Sequence, residues 1–360
     1  MGHIRTFLAI IVIISHTQTF YGFDFLGGKI AVQTFYIISG FYMALILNEK
    51  YIGINNSYKL FITNRFIRLY PVYWAVLIII IGGSLLFSVV TSGASYGPLN
   101  VFKDNFNTLH VSSIIAIVFA NVFIFFQDTL LFFEINLDTG IFFFQPNFNI
   151  KALNGFAFAL IPQAWTVALE LMFYLIAPFI VRRKLSIVLG LFMIFALLKY
   201  LMRTELGLTH TPWAFRFFPT ELPLFLLGIL SYKLYKSEHI KLLNQKVNLA
   251  ILVFVIIAIT MYDKIAFSFK PQIFFVMFFM AIPFIFELSK KSKIDRYVGE
   301  LSYPLYLIHL FVIVIVSHLN VVIINKGITV LVISLVGSIG LKHLVSDRVE
   351  SYRQNRLQKN

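Results

Sequence analysis

Cysteine is absent from the chain. That excludes disulfides, thiolate nucleophiles and cysteine metal sites. Charge is scarce as well. Asp, Glu, Lys and Arg make up 13% of the 360 residues, and the 16 acidic residues are outnumbered by 30 basic ones. No His-Glu-x-x-His, Gly-rich phosphate loop or His/Cys cluster occurs, so no metal site is expected. The first residues lack the positively charged leader and small-residue cleavage site of a secretory signal, and their apolar run is expected to remain as a helix. No long polar stretch is available for a second catalytic module, so one membrane domain, residues 1–345, is expected to fill the chain ahead of a basic tail, 346–360.

What the chain does have is apolar length. Hydrophobic residues make up 59% of it, and the mean hydropathy is +0.84. Repeated apolar runs of about 17 to 25 residues identify a polytopic helical membrane protein. The runs are continuous, whereas the strands of a membrane barrel alternate. The expected fold is an all-α integral membrane bundle of about ten transmembrane helices. They are placed at 5–20, 30–47, 71–90, 164–181, 185–201, 217–235, 247–262, 272–288, 301–318 and 327–345. Pro71 is read as a first-turn proline, and Pro219 and Pro223 as interruptions of the sixth helix.

Basic residues orient the bundle. With both termini in the cytoplasm, most of the 30 lysines and arginines fall inside, among them Lys50, Lys59, Arg65, Arg68, Arg182, Arg183, Lys184, Lys241, Lys290, Lys291, Arg353, Arg356 and Lys359. This bias accounts for the net charge of +14 without nucleic acid. The apolar stretch from Val111 to Phe133 resists the scheme, because a single crossing there would place every later basic loop outside. It is therefore read as re-entrant, surface-lying or a pair of half-crossings; the alternative is eleven crossings with an external C-terminus.

Polar residues inside apolar helices mark the candidate site. Arg5 and His16 are eleven positions apart on the first helix. At about 100° per residue they share a face, about 16 Å apart along the axis. The alternative is that Arg5 anchors a helix end and His16 pairs with a neighbour. Arg65 and Arg68, in NRFIRLYPVYW, suit a polyanion such as a phosphorylated cofactor, since guanidinium matches phosphate oxygens bidentately; ordinary cytoplasmic anchoring is the alternative. Ser39, Gly40 and Phe41 interrupt the second helix, for close packing or for a hydrogen bond across helices. Thr166 and Glu170 face the same way near the outer end of the fourth helix, with Tyr174 one turn deeper. An outward-open cavity for a polar substrate would satisfy that carboxylate, as would a basic partner on another helix. Tyr303, Pro304, Tyr306 and His309 lie on the ninth helix, His309 about 12 Å from its cytoplasmic end. His110, His210, His239, His318 and His343 lie in or near loops and helix ends and carry no signal.

These blocks resemble the membrane-bound acyltransferase-3 family. Arg5 and His16 reproduce its Arg-x10-His motif. The likeness continues through AVQTFYIISGF (31–41), RFIRLYP (65–71), AWTVALELMFYLIAP (164–178) and YPLYLIH (303–309), in the family's order and from end to end of the chain. The resemblance implies acyl transfer from cytoplasmic acetyl-coenzyme A to a sugar hydroxyl of a lipid-linked or surface glycan, such as lipopolysaccharide O-antigen. It implies residence in a bacterial inner membrane, among lipid, acyl donor and glycan acceptor. By position, His16 would be the catalytic histidine, as general base or transient acyl carrier, with Arg5 as its functional partner. Arg65 and Arg68 would match the family's coenzyme-associated Arg-x-x-Arg. Glu170 falls in a motif block and is assigned to catalysis; Ser39, Tyr306 and His309 are assigned to the coenzyme. Two departures stand out: Gln33 replaces the family's usual aspartate, and Trp165, Thr166 and Val167 replace Trp-Ser-Leu. The esterase-like domain fused to some members is absent, so either this chain completes the transfer or a separate periplasmic protein does. A transporter or flippase of a glycolipid or anionic substrate is the competing class. Internal repeats would favour that class, and no clear duplication is seen between the halves.

Overall fold

The computed structural model describes residues 1–51, 57–148, 150–237 and 244–358; His239, Lys241 and Lys359 lie outside them. The bundle opens with α1, Gly2–His16, and α2, Gly27–Glu49, which returns beside it. α3, Ser57–Val90, follows. Pro71 lies inside this continuous helix and does not start it, because a membrane helix tolerates proline where neighbours satisfy the freed carbonyl. The short α4, Asn100–Asn105, leads to α5, Val111–Phe123. A two-stranded antiparallel hairpin, β1 (Phe133–Ile135) with β2 (Phe142–Phe144), lies in the segment 134–163 that the sequence presents as irregular. The later helices are α6, Trp165–Ile180; α7, Leu185–Thr204; α8, Phe218–Lys236; α9, Gln245–Met261; and α10, Lys270–Ser289. Last come α11, Lys293–Leu319; α12, Lys326–Leu341; and α13, Asp347–Gln358, joined to α12 by one π-turn. Pro223 and Pro304 lie within unbroken helices.

Among the described residues, eight helical stretches are long and apolar enough to cross a membrane. α1 and α8, which fall short of that length or apolarity, pack between them. Contacts at the ends fix the direction of each traverse. At one end the Arg182 guanidinium donates to the carbonyls of Leu47 and Tyr51, Lys233 reaches Arg183, Arg356 reaches Asn64 and Thr63, and the start of α1 meets Asp295. At the other, Lys264 reaches Gly22, and Asp24 donates its amide to Asp263. The first end carries the basic loops and is the one assigned to the cytoplasm. The outward sides of α7 and α9 leave Leu189, Met193, Leu197, Leu249, Val253 and Ile257 exposed, the composition of a lipid-facing surface.

The stretch 111–133 does not cross. α5 ends against the middle of α3, where its orphan C-terminal carbonyls need partners. The Tyr73 hydroxyl donates to Asn121 O (2.6 Å), the Trp74 indole to Val122 O (2.8 Å), and the Tyr70 hydroxyl to Phe123 O. The chain then reverses through Ile124 and Phe126, both at φ 64°, in the left-handed region that bulky residues rarely adopt. The stretch thus enters by helix and leaves by irregular chain on the same side of α3, and both ends of the chain lie at one end of the bundle.

A buried polar network ties α2, α7 and α8 in the outer half. Glu221 is fully buried and accepts from Gln33 Nε2 (2.8 and 3.1 Å) and from Lys199 Nζ (2.7 Å). At Gln33, where the resemblance implies an aspartate, a carboxylate would face Glu221. Gln33→Asp is expected to cost about 3 kcal/mol, because it removes two donated hydrogen bonds and adds a like charge. Adding Glu221→Gln should recover most of that loss. Thermal unfolding of the detergent-solubilised single and double variants measures it; equal losses in both would break the coupling.

Candidate active site

α1 presents Arg5 and His16 on one face, as its period requires. The helix is shorter than expected: it stops at His16, and Thr17 turns back to bond Ile13 O (3.0 Å). Its fifteen residues span about 22 Å, against a hydrocarbon core of about 30 Å. His16 therefore ends the helix inside the outer half of the bundle, with its side chain exposed. His16 Nδ1 lies 2.8 Å from Val12 O. A carbonyl only accepts, so Nδ1 carries the proton and Nε2 keeps a free lone pair.

His309 meets it from α11, with ring centroids 5.3 Å apart. It is fully buried; Nδ1 donates to Tyr306 O (2.6 Å), and Nε2 has no partner. α11 starts at Lys293, well before the expected residue 301, so His309 lies about 24 Å from its cytoplasmic end and not about 12 Å. That correction brings the two histidines to one level. Tyr306 and Thr166 form the next layer, bonded hydroxyl to hydroxyl at 3.0 Å, and the Gln163 amide donates to Leu307 O at 2.6 Å.

Glu170 is placed differently from expectation. α6 begins at the level of the histidines, where Gln163 meets Leu307, so Glu170 lies on their cytoplasmic side and not near the outer surface. It accepts from Ser39 Oγ (2.6 Å) and from the Tyr174 hydroxyl. Arg5 lies within electrostatic reach of Glu170, Tyr174, Tyr42 and Arg68. Ser39 thus serves Glu170 and leaves α2 unbroken, while Gly40 beside it lets α8 approach.

Arg65 and Arg68 lie on α3, a helix through both positions. Arg65 is buried, stacks over Phe61 at 5.7 Å, and leaves Nε without a hydrogen-bond partner. Arg68 is exposed. Ser39, Tyr306 and His309, assigned to the coenzyme with these arginines, sit instead with Glu170 and His16, deeper in the bundle.

Sequence reasoning missed Arg216. It lies in the outer loop before α8 and is enclosed by Trp165 (4.9 Å), Phe215 (5.1 Å) and Phe156 (5.3 Å), with Tyr306 and Tyr36 in electrostatic reach. No feature of its local sequence separates it from other loop cations. Among the described residues there is no cluster of three or more His, Asp and Glu able to hold a metal.

The arrangement defines a class: a multi-pass membrane protein with a free imidazole nitrogen in its outer half and guanidiniums near its opposite end, joined by one helix. Residues 1–345 match the family model described as an acyltransferase domain. The chain belongs to that acyltransferase-3 family, and it is a membrane acyltransferase. No curated protein and no solved structure matches it.

Proposed function

We propose that the protein is an O-acetyltransferase of a bacterial inner membrane. It takes acetyl from cytoplasmic acetyl-coenzyme A and delivers it to a sugar hydroxyl of a lipid-linked or surface glycan. The observation that carries this reading is the free Nε2 of His16, about 16 Å along α1 from Arg5. The donor, when bound, supplies an acyl carbonyl already activated as a thioester. The buried, unpartnered Nε of Arg65 and the exposed guanidinium of Arg68 suit its phosphates. A sugar hydroxyl is a poor nucleophile at neutral pH and needs a base. His16 Nε2 takes the hydroxyl proton as the new C–O bond forms, then returns it to the leaving sulfur as the C–S bond breaks. The Val12 carbonyl on Nδ1 holds the tautomer this requires and favours the imidazolium formed in between. His309 supports the ring from the side. Glu170, held by Ser39 and Tyr174, faces Arg5 between the donor end and the histidines and offsets part of its charge.

The test is mass spectrometry of surface glycan from cells expressing wild type, His16→Ala or nothing. An acetyl mass added with wild type alone is expected. Unchanged glycan mass with altered glycan export would overturn the enzyme assignment in favour of transport.

A further inference from the structure

α13 lies beyond the matched family residues and presents in sequence as a polar, basic tail. In the structure it folds back along the cytoplasmic end of α3. Arg356 fastens it there, donating to Asn64 Oδ1 (2.9 Å) and Thr63 Oγ1 (3.1 Å), just before Arg65. That contact sets Arg353, one turn earlier, within electrostatic reach of Arg65, Arg68 and the Tyr51 hydroxyl. Arg353 is 4% exposed. One of its terminal nitrogens bonds Glu350, and its Nε has no partner.

The packing of α13 on α3 therefore groups three guanidiniums at this end of the bundle, those of Arg65 and Arg353 buried and that of Arg68 exposed. Glu350, on the rim, is bonded to Arg353 alone of the three. Like charges brought together out of water repel, and the cost is large unless an anion joins them. The unpartnered Nε atoms of Arg65 and Arg68's neighbour Arg353 are donors that a phosphate oxygen would satisfy.

We propose that α13 completes the donor site, with Arg353 joining Arg65 and Arg68 to hold a phosphate group of the coenzyme. This rests on the donor entering from the cytoplasmic end. The chemistry recognised is a phosphate oxyanion, and the headgroup of an anionic lipid offers the same group from the membrane. The site belongs to the acyl donor because two of its guanidiniums are buried, Arg65 on α3 and Arg353 on α13, so that a soluble ligand is gripped from two helices.

The experiment is steady-state kinetics of the full chain in nanodiscs of zwitterionic lipid, using acetyl-coenzyme A and S-acetylpantetheine, which lacks the nucleotide phosphates. Arg353→Ala should raise KM for acetyl-coenzyme A about tenfold with kcat little changed, the pattern of lost ground-state binding. Arg353→Lys should recover part of that, and S-acetylpantetheine should show no difference between the forms. Equal losses with both donors would assign Arg353 a merely structural part and overturn the proposal. So would loss of co-purifying anionic lipid in Arg353→Ala with KM unmoved, which would make this a lipid site. Arg65→Ala separates the two levels of inference. If it raises KM and Arg353→Ala does not, the role of α13 alone fails; if neither does, the cytoplasmic placement of the donor fails.

Discussion

His16→Ala is expected to lower the rate of acetyl transfer by about a thousandfold, within the range that a positioned general base supplies. The prediction is specific because the side chain has little structural duty. It is exposed, it is the last residue of its helix, and its bond runs to a carbonyl of that same helix. Its removal should leave the thermal midpoint and the elution profile of the solubilised protein unchanged. His309→Ala is a different perturbation, since that ring is fully buried and its loss opens a cavity between α1 and α11. It should lower stability as well as activity. The distinguishing measurement is the transfer rate from labelled acetyl-coenzyme A to isolated acceptor glycan, beside a melting curve of each variant. His16→Ala retaining more than a tenth of the wild-type rate would remove this imidazole from the chemistry and leave His309 Nε2 as the remaining base at that level.

The multi-pass helical class could be read from apolar length alone, and the shared face of Arg5 and His16 from helical period alone, because both are one-dimensional properties of a membrane helix. Helix ends were less legible. Residues 293–300 are polar and read as a loop, yet Ser292 accepts from the Asp295 amide (3.1 Å) and caps a helix that continues unbroken past Pro304. That local capping signal was outweighed by hydropathy, and it misplaced His309 by half the depth of the bundle. The opposite error occurred at Thr17, where the hydroxyl bonds back to Ile13 and α1 ends within the polar stretch 15–19, which the expected helix ran through. Glu170 was recognised as needing a partner, but α6 starts deep in the bundle, so its depth could not be counted from the chain. Its link to Ser39 joins residues 131 apart, and no local pattern states that. Arg353 and Arg356 stood among other basic residues in a polar tail, where cytoplasmic charge is the ordinary expectation.

Gly40→Val should prevent accumulation of folded protein. α2 and α8 cross with their backbones in contact. A Cβ on Gly40 would lie 2.0 Å from Phe225 O, and one on Gly228 would lie 2.1 Å from Ile37 O. Both obstacles are backbone atoms within helices, so neither can rotate away, and the helices must separate. Without a hydrophobic drive between membrane helices, close approach of this kind supplies much of their association. Forcing it apart should cost about 4 kcal/mol or more, which lies in the exceptional range for one substitution. Gly82→Val is the matched comparison, because nothing lies within 4 Å of the Cβ it would add. Fluorescence-detected size exclusion of tagged variants should show a monodisperse peak for Gly82→Val and loss of that peak for Gly40→Val. Gly40→Ala makes the same backbone contact with less bulk and links the packing to the site. Ser39 precedes Gly40 on α2 and donates to Glu170 at 2.6 Å, so a shift of α2 from α8 moves that hydroxyl relative to the carboxylate facing Arg5. Any folded Gly40→Ala protein should therefore transfer acetyl more slowly than its melting temperature alone would suggest. Full activity in a destabilised but folded Gly40→Ala variant would mean that the Ser39–Glu170 bond does not position the site.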